Sequence, residues 1–285
     1  MSSIKSEWPL LVFTTCAPVC AGAWIVAAAL TLFGASPQAS ALTTGPCGAA
    51  LCALLVVSLA CSTLHLGKPA KALRAFGRLG NSTVSNEVFM GSLFALSSVL
   101  YLLMSPGLAS ASEIWKIPLA LVAAFAALFV VFQCLAYRMR TVSTWNSAAF
   151  SVEFAVIALL GGVCLEGAIA RLAVPLPFDV RLGLVAVGAA CCAGMVFVVC
   201  AEGSVVARTA LRRSDAEESL ARWGAFSVAR VLALAVGFVV WGCGMLANEP
   251  SATLACAGLA IVVVGIAIGR FAFYRFYLNV GLPRA

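Results

Sequence analysis

Residues 65–87 read HLGKPAKALRAFGRLGNSTVSNE, a polar, basic connector between two apolar runs. The stretch opens on the only histidine of the protein, His65, and continues with four cations, Lys68, Lys71, Arg74 and Arg78. It closes on an acid, Glu87, where the next apolar run begins. Crossing a bilayer takes roughly 20 apolar residues, so such a connector lies at a membrane surface. It would hold a proton-active pair, one member at each end of a positive platform.

Working outward, the whole sequence fits that reading. Of its 285 residues 63% are hydrophobic and only 10% are charged, with a mean hydropathy of +1.06. Soluble proteins average about 25% charged residues, so the composition is that of an integral membrane protein. Eight apolar runs can be laid out, at residues 9–33, 48–66, 88–104, 117–136, 148–170, 182–201, 225–247 and 253–268. The fold expected is an all-α bundle of eight transmembrane helices forming a single polytopic domain over residues 1–285, with no length left for a soluble domain. The first run has 25 residues without a charge, too long for the apolar core of a cleavable signal. Trp8, just before it, suits an interfacial anchor.

Eleven of the twelve cysteines fall inside apolar runs, and no C-x-x-C spacing occurs. They read as small apolar packing residues, and no metal site is expected. Gly265 and Gly269 form a small-xxx-small pair that would let two helices approach closely.

The connectors divide the charges unequally. Alternate connectors fall on one side, and that side carries Lys5, Lys68, Lys71, Arg74, Arg78, Arg138, Arg140, Arg208, Arg212, Arg213, Arg222, Arg275 and Arg284. The other side has only Lys116, Arg171 and Arg181. The positive-inside rule would put the basic side in the cytoplasm. A basic face that docks an acidic partner would give the same bias.

Ionisable groups inside an apolar run are costly and are therefore functional candidates. Here they are Glu87, Glu153, Glu166, Glu202, Arg230 and Arg270, with His65 at the edge. All except Glu166 lie towards the basic side. Each also has a plainer reading. The arginines could snorkel to the headgroups, Glu153 and Glu202 could pair with them structurally, and His65 could favour a helix C-terminus.

A lone histidine rules out bis-histidine haem ligation within the protein, and no iron–sulfur signature is present. Electrons would have to pass from a bound small carrier directly to a partner's cofactor. A lipid-soluble quinol suits such a site, since its hydroxyls need a proton acceptor and its ring and tail an apolar pocket. His65, with a near-neutral ordinary pKa, is suited to accept that proton, and Glu87 to pass it on. Glu153, Arg230 and Arg270 are the further candidates for holding the quinol.

Several blocks carry a resemblance to a known family. They are Glu7-Trp8-Pro9-Leu10 with Phe13; His65-Leu66-Gly67 with Pro69; Ala75-Phe76, Arg78 and Gly80; and Ser85-Asn86-Glu87. Further on come Thr141-Val142 with Thr144-Trp145 and Ser147, then Arg230, Gly269-Arg270, Phe273-Tyr274 and Val280-Gly281. In this order the sequence resembles the membrane anchor of dimethyl sulfoxide reductase, the DmsC family. The resemblance implies an eight-helix anchor in the bacterial cytoplasmic membrane that oxidises menaquinol. Electrons would go to a ferredoxin-like iron–sulfur subunit and on to a molybdopterin catalytic subunit that reduces an S- or N-oxide. It implies quinol binding and oxidation at His65 and Glu87, with Lys68, Lys71, Arg74 and Arg78 lying under the iron–sulfur partner. No nucleic acid is expected. Two rivals remain: an anchor of a polysulfide- or nitrite-reductase-type complex, and a proton-coupled small-molecule transporter.

Overall fold

The structure is a computed structural model. It describes residues 4–34, 38–64, 76–108, 115–140, 142, 144–210, 216–247 and 251–275. His65, Lys68, Lys71 and Arg74 lie outside the described residues, as do Thr141 and the Val280-Gly281 pair.

Among the described residues the regular structure is helical, in eight long helices: α1 (Ile4–Leu32), α2 (Gly45–Leu64), α3 (Thr83–Leu108), α4 (Lys116–Ala136), α5 (Ala148–Ala173), α6 (Phe178–Ala210), α7 (Ala216–Leu246) and α8 (Ala252–Arg275). Each contains a segment long and apolar enough to cross a membrane. Short 3₁₀ turns at Ala39–Leu42 and Phe76–Arg78 precede α2 and α3.

Several helix boundaries lie beyond the apolar runs that hydropathy marks, and four of them bear on the buried charges or the connectors. The run expected at 88–104 belongs to a helix that begins at Thr83, so Glu87 stands one turn inside α3 and not at its start. The run at 182–201 continues to Ala210, and the run at 253–268 continues to Arg275. The run at 225–247 begins earlier, at Ala216, within the charged connector. The cause is the same in α6 and α8. Hydropathy ends a run at a charge, but Glu202 and Arg270 are neutralised inside the protein and the helix passes through them.

Two apolar clusters organise the bundle. One gathers α1, α2, α3 and α4 around Trp24, Leu51, Phe94, Tyr101 and Phe129. The other gathers α5, α6, α7 and α8 around Leu160, Met195, Leu234, Trp241 and Val262, with Val19 and Ala27 of α1 contributing. Helices α1 and α5 form the seam and are the most buried spans. Lipid competes equally for apolar side chains, so helices in a membrane associate through close packing of small residues. Gly22 of α1 lies directly against the Ala158 carbonyl of α5, and Gly162 lies against the Gly22–Ala23 backbone. No Cβ fits at either glycine.

Helices α7 and α8 pack antiparallel by the same means. Gly258 meets the Trp241 backbone, Gly265 meets Leu234, and Gly269 meets the Arg230 side chain. The small-xxx-small pair of α8 is thus a contact surface for α7. Its Gly269 end makes room for a guanidinium in addition to backbone. The large apolar side chains left exposed, Val56, Leu103, Phe197, Val239 and Val264 among them, face outward where lipid would lie.

Candidate functional site

Local sequence fixes the position of Glu87. Ser82 caps α3, its Oγ accepting the Ser85 N–H at 3.4 Å. Gly80 turns the backbone with φ +80, a conformation that suits glycine. Its N–H donates to Asn86 Oδ1 at 2.8 Å, tying the end of the basic connector to the first turn of α3. Glu87, the next residue, therefore points inward and is only 5% exposed. Gln133 of α4 lies against it. Neither polar atom of Gln133, nor Glu87 Oε1, completes a hydrogen bond of ordinary geometry. Glu87 makes no ion pair with a described cation. Arg78, at the end of the 3₁₀ turn, is exposed on the surface nearby.

Four other buried charges, Glu153, Glu202, Arg230 and Arg270, form one series of ion pairs. Arg270 of α8 pairs with Glu153 Oε2 of α5. Arg230 of α7 reaches Glu153 Oε1 at 2.9 Å and Glu202 Oε2 of α6 at 3.1 Å. Its Nη2 also lies 2.8 Å from Met195 Sδ. Glu153, Glu202 and Arg270 are at most 1% exposed, and Arg230 is 4% exposed. Two cations face two carboxylates, so this group is balanced by itself and ties α5, α6, α7 and α8 together. Arg270 also lies over two aromatic rings, 4.3 Å from Phe154 and 4.8 Å from Phe273, an arrangement that stabilises a desolvated cation.

Two phenols lie within electrostatic range of both Glu87 and Arg270. Tyr137, at the C-terminus of α4, stacks on Phe154 at 4.9 Å. The Tyr274 hydroxyl is 3.2 Å from that of Tyr137 and 3.4 Å from Thr14 Oγ1 of α1. Glu87 acts electrostatically on both phenols, and Arg270 does so as well. Burial, followed by the Tyr274 phenol beside it, pushes Tyr137 well above the ordinary phenol range. Tyr137 is therefore a neutral hydroxyl at any physiological pH. Trp145 completes the aromatic wall, stacked on Phe273 at 4.6 Å and donating from Nε1 to the Phe273 carbonyl at 3.3 Å.

Of the residues singled out in the sequence, the structure brings Glu153, Glu202, Arg230 and Arg270 into direct contact and sets Glu87 close by. Glu166 is apart from them, in α5, fully buried and without a hydrogen bond to either oxygen. The signals that charge alone misses are Gln133, Tyr137, Phe154 and Thr14. Of these, Gln133 is legible as an amide inside an otherwise apolar run. The cysteines among the described residues are free thiols, and no group of three or more metal-ligating side chains occurs among those residues.

An eight-helix membrane protein with five of the six buried charged groups among its described residues gathered towards one end, and aromatic rings packed against them, defines a polytopic subunit with a buried polar site. Comparison with known proteins makes the class specific. The family model described as DMSO reductase anchor subunit (DmsC) matches residues 1–276, and the protein belongs to that family. It is similar to the YnfH subunit of an anaerobic dimethyl sulfoxide reductase of Escherichia coli, 29% identical over 286 residues covering 98% of both sequences. It is also similar to the C subunit of anaerobic dimethyl sulfoxide reductase from the same organism, 29% identical over 294 residues and the full length of both. The corresponding C subunit of the Haemophilus influenzae enzyme is 31% identical over 166 residues, 57% of this sequence and 58% of that one. The protein is thus a multi-pass membrane anchor of a dimethyl sulfoxide reductase-type complex.

Proposed function

We propose that this anchor oxidises menaquinol at the basic end of the bundle in the bacterial cytoplasmic membrane. The electrons pass to a ferredoxin-like iron–sulfur subunit and from there to a molybdopterin catalytic subunit. The observation that carries the reading is Glu87. It is a buried acid with no described cation against it, beside the Gln133 amide and within electrostatic range of the phenols, whereas Glu153 and Glu202 already hold arginines. Glu87 Oε1 makes no hydrogen bond to a described residue and is available to a proton donor. The collection of polar groups at one face supports this reading over transport, whose sites lie near the midplane.

In this mechanism His65, where α2 meets the basic connector, accepts one quinol hydroxyl proton, and Glu87 accepts or passes on the other. Each menaquinol gives up two protons and two electrons and leaves as menaquinone. The partner's iron–sulfur clusters take the electrons. The rings of Phe154, Phe273 and Tyr137 pack on one another and under Arg270 and so build the wall of the site, and the half-buried Trp145 at its edge supplies apolar surface for the quinone ring. Arg270 and Arg230, committed to Glu153 and Glu202, hold the four helices that frame it. Lys68, Lys71, Arg74 and Arg78 form the docking face for the iron–sulfur subunit, whose approach must be close for electron transfer.

Loss of the His65 hydrogen bond should weaken binding of a menaquinol analogue by about tenfold, the value of roughly one to one and a half kcal/mol. Quenching of a fluorescent quinol-analogue inhibitor by the purified complex, compared with the His65→Ala variant, measures this. Turnover driven by a dye that reduces the partner directly should be unchanged. Equal analogue affinity in the two proteins would remove His65 from the site.

A further inference from the structure

We propose that the phenol pair Tyr137–Tyr274 is the proton exit of the site. It carries the proton from Glu87 to the basic membrane surface, while Thr14 holds Tyr274 in place. The proposal rests on the reading that Glu87 takes a quinol proton, and adds the route by which that proton leaves.

Three observations lead there. The first is connectivity: the Tyr274 hydroxyl is within hydrogen-bonding distance of both Tyr137 and Thr14. Thr14 in turn donates to the Leu10 carbonyl at 2.8 Å, which fixes its lone pairs towards Tyr274. The second is position. Glu87 is buried against Gln133 of α4, and Tyr137 follows one helical turn (i+4) further along the same face of α4. Tyr137 and Tyr274 are half-buried at the ends of α4 and α8, nearer the surface than the acid. The third is the surrounding charge. The groups that face the pair are Thr14 from α1, Glu87 from α3, Cys134 from α4, Phe154 from α5, and Arg270 from α8, itself held by Glu153. Glu87 and Arg270 act on both phenols in opposite senses.

A hydroxyl has one hydrogen and two lone pairs, so it can accept a proton at oxygen while releasing its own. The single Tyr274 hydrogen lies on Tyr137 or on Thr14. With it on Thr14, Tyr137 takes the Glu87 proton as it gives its own hydrogen to the Tyr274 oxygen, and Tyr274 releases one to surface water. Each phenol ends as it began, with one hydrogen and no electron lost from the ring. Both electrons of the quinol go to the iron–sulfur partner. A concerted hop of this kind never requires an ionised tyrosine, in keeping with the raised Tyr137 hydroxyl.

The test uses membranes carrying the assembled complex, with Tyr137→Phe, Tyr274→Phe and the double variant. Phenylalanine keeps the ring stacked on Phe154 and removes only the hydroxyl. The double variant should turn over menaquinol about 100-fold more slowly, the lower end of what a proton-transfer group contributes. Its rate should rise when small weak acids and bases such as imidazole are added, and its solvent isotope effect should exceed that of the wild type. Analogue binding and dye-driven turnover should stay within about twofold of wild type. Wild-type turnover in the double variant would overturn the proposal. So would slow turnover that weak acids and bases do not restore, because that is the signature of packing alone. If the double variant is unaffected while Glu87→Gln is slow, only the exit route fails. If Glu87→Gln is also unaffected, the reading of the site fails with it.

Discussion

Glu87→Gln should lower menaquinol-dependent turnover by about 10²–10⁴-fold, the range for a group that moves a proton in the rate-determining step. Glutamine keeps the size of the side chain and its contact with Gln133 but cannot cycle a proton. The cap by Ser82 and the Asn86–Gly80 hydrogen bond remain, so α3 should begin where it does now. Affinity for a quinol analogue should change far less than the rate does. Steady-state assays with a menaquinol analogue as donor, set beside dye-driven assays of the same membranes, separate the two effects. A slow dye-driven reaction would mean that the substitution has damaged docking or assembly instead of proton transfer.

The second large effect is structural. Glu153→Ala removes the carboxylate that Arg270 and Arg230 share. Arg230 retains Glu202 at 3.1 Å, but Arg270 keeps only the faces of Phe154 and Phe273. Breaking a buried pair by deleting one partner costs about 3–5 kcal/mol, because the remaining charge is left desolvated. That is a large part of the stability of an ordinary protein. The inserted anchor should fall to a small fraction of its wild-type level, and its detergent-solubilised form should unfold at lower denaturant. Glu153→Ala combined with Arg270→Met should recover most of the loss, since the charge goes together with its counter-ion. If the double variant is no better than the single, Arg270 is not the group that Glu153 neutralises.

These two expectations differ in how far the sequence foretells them. Glu87 stands out at once, as an acid closing a basic connector that begins with the only histidine. The ion pairs are half legible. The equal depth of Glu153, Glu202, Arg230 and Arg270 suggests pairing, but depth does not say which helices are neighbours, and the sharing of Glu153 by two arginines needs the packing of α5 against both α7 and α8. That packing follows from glycines spaced along the sequence, of which only Gly265 and Gly269 form a pattern short enough to notice. Hydropathy misplaces the helix ends where charge is compensated. It treats Arg270 as the end of a span, whereas pairing with Glu153 lets α8 continue to Arg275. The phenols and Gln133 escape a reading by charge because they carry none, and their importance comes from what stands next to them.

The location of the quinol site is tested most directly by photoaffinity labelling. A menaquinone analogue with a photoreactive group on its ring would be irradiated with the purified complex, and the attached peptides identified by mass spectrometry. Attachment should fall within residues 65–87 of the connector and the start of α3, or on the segments around Tyr137 and Tyr274, and excess unlabelled menaquinone should abolish it. Competable attachment confined to the segment around Glu166 and Arg171 would place the quinol at the opposite membrane face and contradict the assignment of His65 and Glu87.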